Sequence, residues 1–224
     1  MIRIGTMDMR LIYKEAVEIC QKAGVNPHDA GLTDSCLRLE QQLLTTKTQY
    51  QFAVLTNNNG PSNTLFNTEV RLNQQDSFIS YGLNFYLGEP ASATDTTFID
   101  YTYPSPTVFA TAGEAAALGT VYKSYMKITI NNVVKIPTLH MGRFWFVPAT
   151  QKATAAANQN GIAQDTRDGS TDGSMMLTGL LTFIGSKNNL IEFFMPAALA
   201  AVGTNTRMVQ EWRGLLAQNS TIIT

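Results

Sequence analysis

Apolar positions along this chain follow two rhythms, a period of three to four residues near the start and a two-residue alternation through most of the remainder. Leu11, Ile12, Tyr13, Ala16, Ile19, Cys20 and Ala23 gather on one side of a helical wheel, with Lys14, Glu15, Glu18 and Lys22 across from them. The pattern predicts a helix over Asp8–Ala23, with Asp8 as N-cap and Gly24 as the stop, docked by one face on the rest of the protein. A turn-rich stretch, VNPHDAGLTDS, comes next. The segment CLRLEQQLL after it is ambiguous, because Leu37 and Leu39 alternate as in a strand while Leu39 and Leu43 also suit a helix.

From Thr48 onward, strand-like runs succeed one another with turn residues between them. They are Gln49–Thr56, Leu65–Leu72, Ser77–Leu87, Thr97–Tyr103, Lys123–Asn131, the long stretch VVKIPTLHMGRFWFV read as one strand bent at Pro137, Met175–Ile184 and Leu190–Met195. In Ser77–Leu87 the alternation puts Ile79, Tyr81, Leu83, Phe85 and Leu87 on one face. Met175–Ile184 and Leu190–Met195 flank GSKNN and read as a terminal hairpin. AGEAAAL (Ala112–Leu118) is a short helix inserted between strands. A second terminal helix is predicted over Thr206–Leu216, where Met208, Trp212, Leu215 and Leu216 share a face and Arg207 stands four residues before Glu211.

Eight β runs match the number a jelly-roll β-sandwich needs, two four-stranded sheets packed face to face. The expected fold is therefore all-β, a single eight-stranded roll with a compact double jelly roll as the alternative, carrying an N-terminal helix, a short mid-chain helix and a C-terminal helix. The expected domains are a helical segment over 1–47, the sandwich over 48–203 with an exposed loop at 148–173, and a helix and tail over 204–224. Strands and helices do not alternate regularly, which argues against a parallel α/β fold.

Composition narrows the function. Charged residues are 15% of the 224, against roughly 25% in an average soluble domain. A surface rich in Asn, Gln, Thr and Ser costs less to desolvate than one studded with Lys and Glu, which favours a subunit that buries its flanks against neighbours. A net charge of -1 offers no footprint for sequence-specific nucleic-acid binding. Cys20 and Cys36 are too few for a disulfide scaffold and lack zinc-site spacing, so both read as reduced. No export signal is visible at the N-terminus, and the longest apolar run, Pro196–Val202, is far short of the ~20 residues that span a bilayer.

Chemical signatures are thin, and no catalytic, cofactor-binding or metal site is assigned. His28 and His140 stand apart without a Cys partner. Arg143 and Trp145 beside His140 read as a strand carrying aromatics into the core. Asp165, Asp168 and Asp172 lie in a glycine-containing loop but miss the spacing of an EF-hand and its closing Glu, so they read as a solvated acidic loop. Asp29 and Asp34 suit turns and caps. Glu69, Asp76, Glu89 and Asp100 read as rim residues of the sheets. Neither a phosphate-binding loop nor a nucleophile elbow occurs. A rival to the structural reading is a carbohydrate- or receptor-binding sandwich in which Trp145, Tyr101 and Tyr103 stack on sugar faces; an enzyme is the third.

The run from QYQFAVLT through TEVRLNQQDSFISYGLNFYL and KSYMKITINN to GLLTFIGSKNNLIEFFMP resembles, in the order of its elements, the jelly-roll coat proteins of tailless icosahedral bacteriophages, including lipid-containing ones. The resemblance implies a virion subunit made in the host cytoplasm. It further implies a homo-oligomer, a trimer or larger shell, that contacts other virion proteins. It also raises a weak contact of the N-terminal helix with an internal membrane, although the helix has few cations for such binding.

Overall fold

The protein, seen in a computed structural model, is described over residues 9–22, 26, 31–54, 72, 75–92, 95, 98–147 and 174–218. Two antiparallel sheets form an all-β sandwich. The elements are α1 (Met9–Lys22), β1 (Thr33–Gln42), β2 (Gln49–Ala53), β3 (Ser77–Gly88), β4 (Asp100–Tyr101), α2 (Glu114–Leu118), β5 (Tyr125–Ile130), β6 (Val133–His140), β7 (Met175–Ile184), β8 (Asn189–Phe194) and β9 (Arg207–Ala217). The first sheet runs β1-β9-β3, with β7 and the two-residue β4 sharing the far edge of β3; the second runs β2-β8-β5-β6.

The pairings nest. β1 pairs with β9, β2 with β8, β3 with β7 and β5 with β6, all antiparallel. The chain is thus one long hairpin whose tip is Asn131-Asn132, doubled over so that β9 also meets β3 and β8 also meets β5. The tip suits its residues: Asn131 and Asn132 have φ of 51° and 61°, the left-handed pair of a two-residue hairpin turn, which Asn tolerates better than most side chains.

Between the sheets, Phe85 of β3 stacks on Phe193 of β8 with centroids 5.9 Å apart and stands edge-on to Tyr122. Phe183 and Trp212 close the other part of the core. On the outer side of the first sheet lies a second, smaller core. Ile12, Ala16 and Cys20, four residues apart on α1, pack on Ile79, Tyr81, Leu215 and Ala217. Leu11 and Tyr13, expected on the docked side, remain exposed.

A bulge in β3 lets one strand serve both cores. Ser80 is opposite Gly214 and Gly82 opposite Arg213, so Tyr81 is the extra residue. The alternation therefore changes sides: Phe78 joins the sandwich core, Ile79 and Tyr81 turn to α1, and Leu83, Phe85 and Leu87 return to the sandwich. The uniform face read from the sequence is corrected accordingly.

Three other expectations change and one ambiguity is settled. Residues 207–217 form strand β9, in the middle of the first sheet, in place of a C-terminal helix. Its neighbours cover both faces, so apolar residues occur on both and the two-residue rhythm is hidden. The ambiguous CLRLEQQLL contributes to β1, an edge strand of the same sheet. β7 and β8 do not form a hairpin with each other. They lie in different sheets, joined by a corner where Asn189 Nδ2 donates to the carbonyls of Ile184 (2.8 Å) and Lys187 (3.1 Å). β6 passes through Pro137 and ends at a 3-10 turn over Met141–Phe144; as an edge strand it tolerates the missing donor. Of the expected strand at Leu65–Leu72 only Leu72 lies within the described residues, and the loop at 148–173 lies outside them.

Candidate assembly face and polar clusters

The two outer faces of the sandwich differ. α1 covers part of the first sheet, whereas the outward side chains of the second sheet include exposed Gln49, Gln51, Tyr125 and Val134. Strand register arranges this face in rows. Phe194 of β8 is opposite Tyr125 of β5, Glu192 opposite Lys127, and Leu190 opposite Thr129. The Tyr125 and Phe194 rings stack at 5.0 Å, and Lys127 Nζ donates to Glu192 Oε2 at 3.0 Å. The result is a face on which one compensated ion pair lies between an aromatic row and the Leu190–Thr129 row.

One edge of this sheet is β6, with Val133 and Val134 exposed. Its pairing with β5 slips twice, between Met126 and Ile128 and again between Ile128 and Thr129, each time leaving an extra residue on β6. Two bulges, Pro137 and Lys135 blunt the edge against adding a further strand.

Charged residues collect where β1, β4 and β9 meet. Arg38 grips Asp100 with both terminal nitrogens, at 2.5 and 2.9 Å, and donates from Nε to Glu40 at 2.7 Å. Arg207 donates to the other oxygen of Glu40 at 3.0 Å. The Phe98 ring has the guanidinium carbons of Arg38 and Arg207 at 5.5 and 5.6 Å from its centroid. Arg207 thus pairs across strands with Glu40, and Glu211 pairs with Arg213 two residues along β9, in place of the helical Arg207–Glu211 pair expected. Arg38's guanidinium is held further toward its charged form by its two carboxylates, which outweigh the opposing effect of burial.

A second cluster joins the end of β3 to the β8–β9 connection. Glu114, buried at the start of α2, accepts from Gly203 N–H, and its Oε1 lies 2.5 Å from Thr206 Oγ1. Glu89 Oε2 lies 2.5 Å from the same hydroxyl. Burial pushes the Glu89 carboxyl up, Thr206 opposes that by donating, and the Glu114 charge adds to the rise. Glu114, Arg38, Glu40 and Arg207 were not singled out as a polar group from the sequence. Apart from the Arg38–Glu40 contact, their partners lie far along the chain.

Comparison with family models, with curated proteins and with solved structures gave no match to this chain.

The residues named from sequence scatter. His140 ends β6, exposed and opposite Tyr125. Trp145 is partly exposed and stands edge-on to Tyr122 at 4.8 Å. Tyr122 donates to the carbonyl of Thr102, and Thr102 donates to that of Phe146, so Tyr101, Tyr103 and Trp145 do share one neighbourhood. They do not make a platform, since Tyr103 is buried and Tyr101 is packed edge-on to Phe109. Asp34 accepts a long contact from Tyr81 at 3.4 Å, and Asp76 is buried. His28, Asp29, Glu69, Asp165, Asp168 and Asp172 lie outside the described residues. Among the described residues no three His, Cys, Asp or Glu side chains are grouped to hold a metal, and no helix is long and apolar enough to cross a membrane. Both cysteines are free thiols, Cys20 on the buried face of α1 and Cys36 exposed on β1.

Proposed function

We propose that this protein is a structural subunit that assembles with copies of itself into a symmetric shell, and that its sandwich is a single jelly roll. The observation that carries the reading is the nesting of strand pairs. With β4 set aside, the eight remaining strands pair first with last, second with seventh, third with sixth and fourth with fifth, and lie in sheets ordered 1-8-3-6 and 2-7-4-5. That is what a long antiparallel hairpin gives when it is rolled up, and shell-forming viral subunits are among the proteins built so. Fold alone does not fix function, so three further features support the choice. The space between the sheets is filled by large side chains such as Phe78, Phe85, Phe193 and Trp212. Few of the residues are charged. One broad sheet face remains bare of α1.

The work proposed is mechanical: shape repeated under symmetry, with many modest contacts. The setting is a virion, with the chain made in the host cytoplasm and meeting other virion proteins. A sugar-binding role draws less support, because the buried Tyr103 ring offers no face to a ligand. Light scattering over a concentration series, with negative-stain microscopy of the same samples, tests the reading. Rings, trimers or shells are expected; a species that stays monomeric at high concentration overturns it.

A further inference from the structure

We propose that the outer face of the second sheet is a self-complementary contact at which a second copy of this chain docks face to face, about a two-fold axis running along the strands between β5 and β8. This names a partner and a surface for the assembling role proposed above and rests on it.

The register of the face carries the inference. Each residue on β5 has a counterpart directly across on β8: Tyr125 with Phe194, Lys127 with Glu192, Thr129 with Leu190. A two-fold axis parallel to the strands and midway between them exchanges the two columns when the copy is turned over. Lys127 then faces the copy's Glu192 while Glu192 faces the copy's Lys127, closing a ring of four alternating charges. The stacked aromatic pair meets the same pair of the other copy, and Thr129 meets Leu190. An isologous contact needs such a pattern, because every residue must find its partner's chemistry on an identical surface. An in-plane axis across the strands instead brings an aromatic row onto an aliphatic one and sets Lys127 against Lys127.

Two observations point to a copy of the chain over other occupants. Among the described residues, the outward rows of β5 and β8 carry one cation and one anion in contact, 3.0 Å apart, so these rows offer no net charge to attract nucleic acid or an acidic membrane, whereas they are their own electrostatic complement. The neighbouring edge β6 is blunted by Pro137 and two bulges, which disfavours strand addition along that edge. Packing of two sheets in this manner places their strands within about 30° of each other, as an axis along the strands allows.

A charge-swap experiment on the full chain tests the contact. Lys127→Glu makes the face all acidic and Glu192→Lys makes it all basic. Each variant alone is expected to lose self-association through this face, with dimer affinity at least tenfold weaker by analytical ultracentrifugation. The two mixed in equal amounts are expected to pair with each other at an affinity within a few-fold of the unaltered protein. In each variant the internal ion pair is already lost, so recovery on mixing reports only the contact between copies, and circular dichroism of each alone checks the fold. If the unaltered chain assembles but the mixture does no better than its components, the assembly uses another surface and the face is wrong. If the unaltered chain is a monomer, both the face and the assembling role fall.

Discussion

Glu89 and Glu114 meet at a single hydroxyl: Thr206 Oγ1 is 2.5 Å from a carboxylate oxygen of each. One hydroxyl has one proton to give, so both contacts are satisfied only when one of the carboxyls is itself protonated and donates to Thr206. Burial raises Glu89 above its ordinary 4.5. A carboxyl raised in the folded state contributes stability that is whole below the unfolded value and is lost as pH climbs through the folded one. Glu89→Gln, whose amide can donate permanently, is therefore expected to melt higher than the unaltered protein at pH 8, with the gap closing toward pH 4. Calorimetry across that range checks it; parallel curves would show that the proton is not shared.

Gly214 sits where β9 crosses the bulge of β3. A Cβ there would lie 2.4 Å from the Ile79 carbonyl oxygen and 2.7 Å from Phe78 Cζ, while one at Gly179 meets nothing within 4 Å. Gly214→Ala is expected to cost about 1–3 kcal/mol through forced displacement of the neighbouring strand. Gly179→Ala should stay within about 0.5 kcal/mol of the unaltered protein. Urea denaturation of the two variants side by side distinguishes a steric cost from a general effect of replacing glycine in a strand.

The grip of Arg38 on Asp100 and Glu40 ties β1 to β4 across the first sheet. Arg38→Ala leaves Asp100 without its two-pronged donor, and hydrogen bonds to charged groups are worth about 1.5–3 kcal/mol. A loss of that size is expected in chemical denaturation. Arg38→Lys should recover only part of it, because an ammonium cannot engage one carboxylate with two parallel donors and a second with a third. Full recovery by Lys would mean that the charge alone matters.

At the hairpin tip, Asn131→Val or Asn132→Val forces a β-branched residue into a left-handed conformation and is expected to cost about 1–2 kcal/mol. Asn132→Gly should be neutral or slightly stabilising. Thermal melting of the three variants gives the order, and a Val variant as stable as the Gly one would mean that the turn changes shape freely.

The sequence by itself determined that this is a β protein with a helix docked at its start, because alternation in Tyr125–Ile130 and the Ile12, Ala16, Cys20 stripe are local patterns set by backbone geometry. The expected eight strands become nine among the described residues, with a partly different membership, since β1 was ambiguous and β9 looked helical. Met208, Trp212, Leu215 and Leu216 fit a helix because β9 is buried on both faces, and a strand with two apolar faces has no rhythm to read. Only the tertiary structure decided which strands pair, where Tyr81 switches β3 from one core to the other, and which charges meet. Those outcomes join residues such as Arg38 and Asp100, 62 positions apart, and spacing along a chain carries no record of partners brought together by folding.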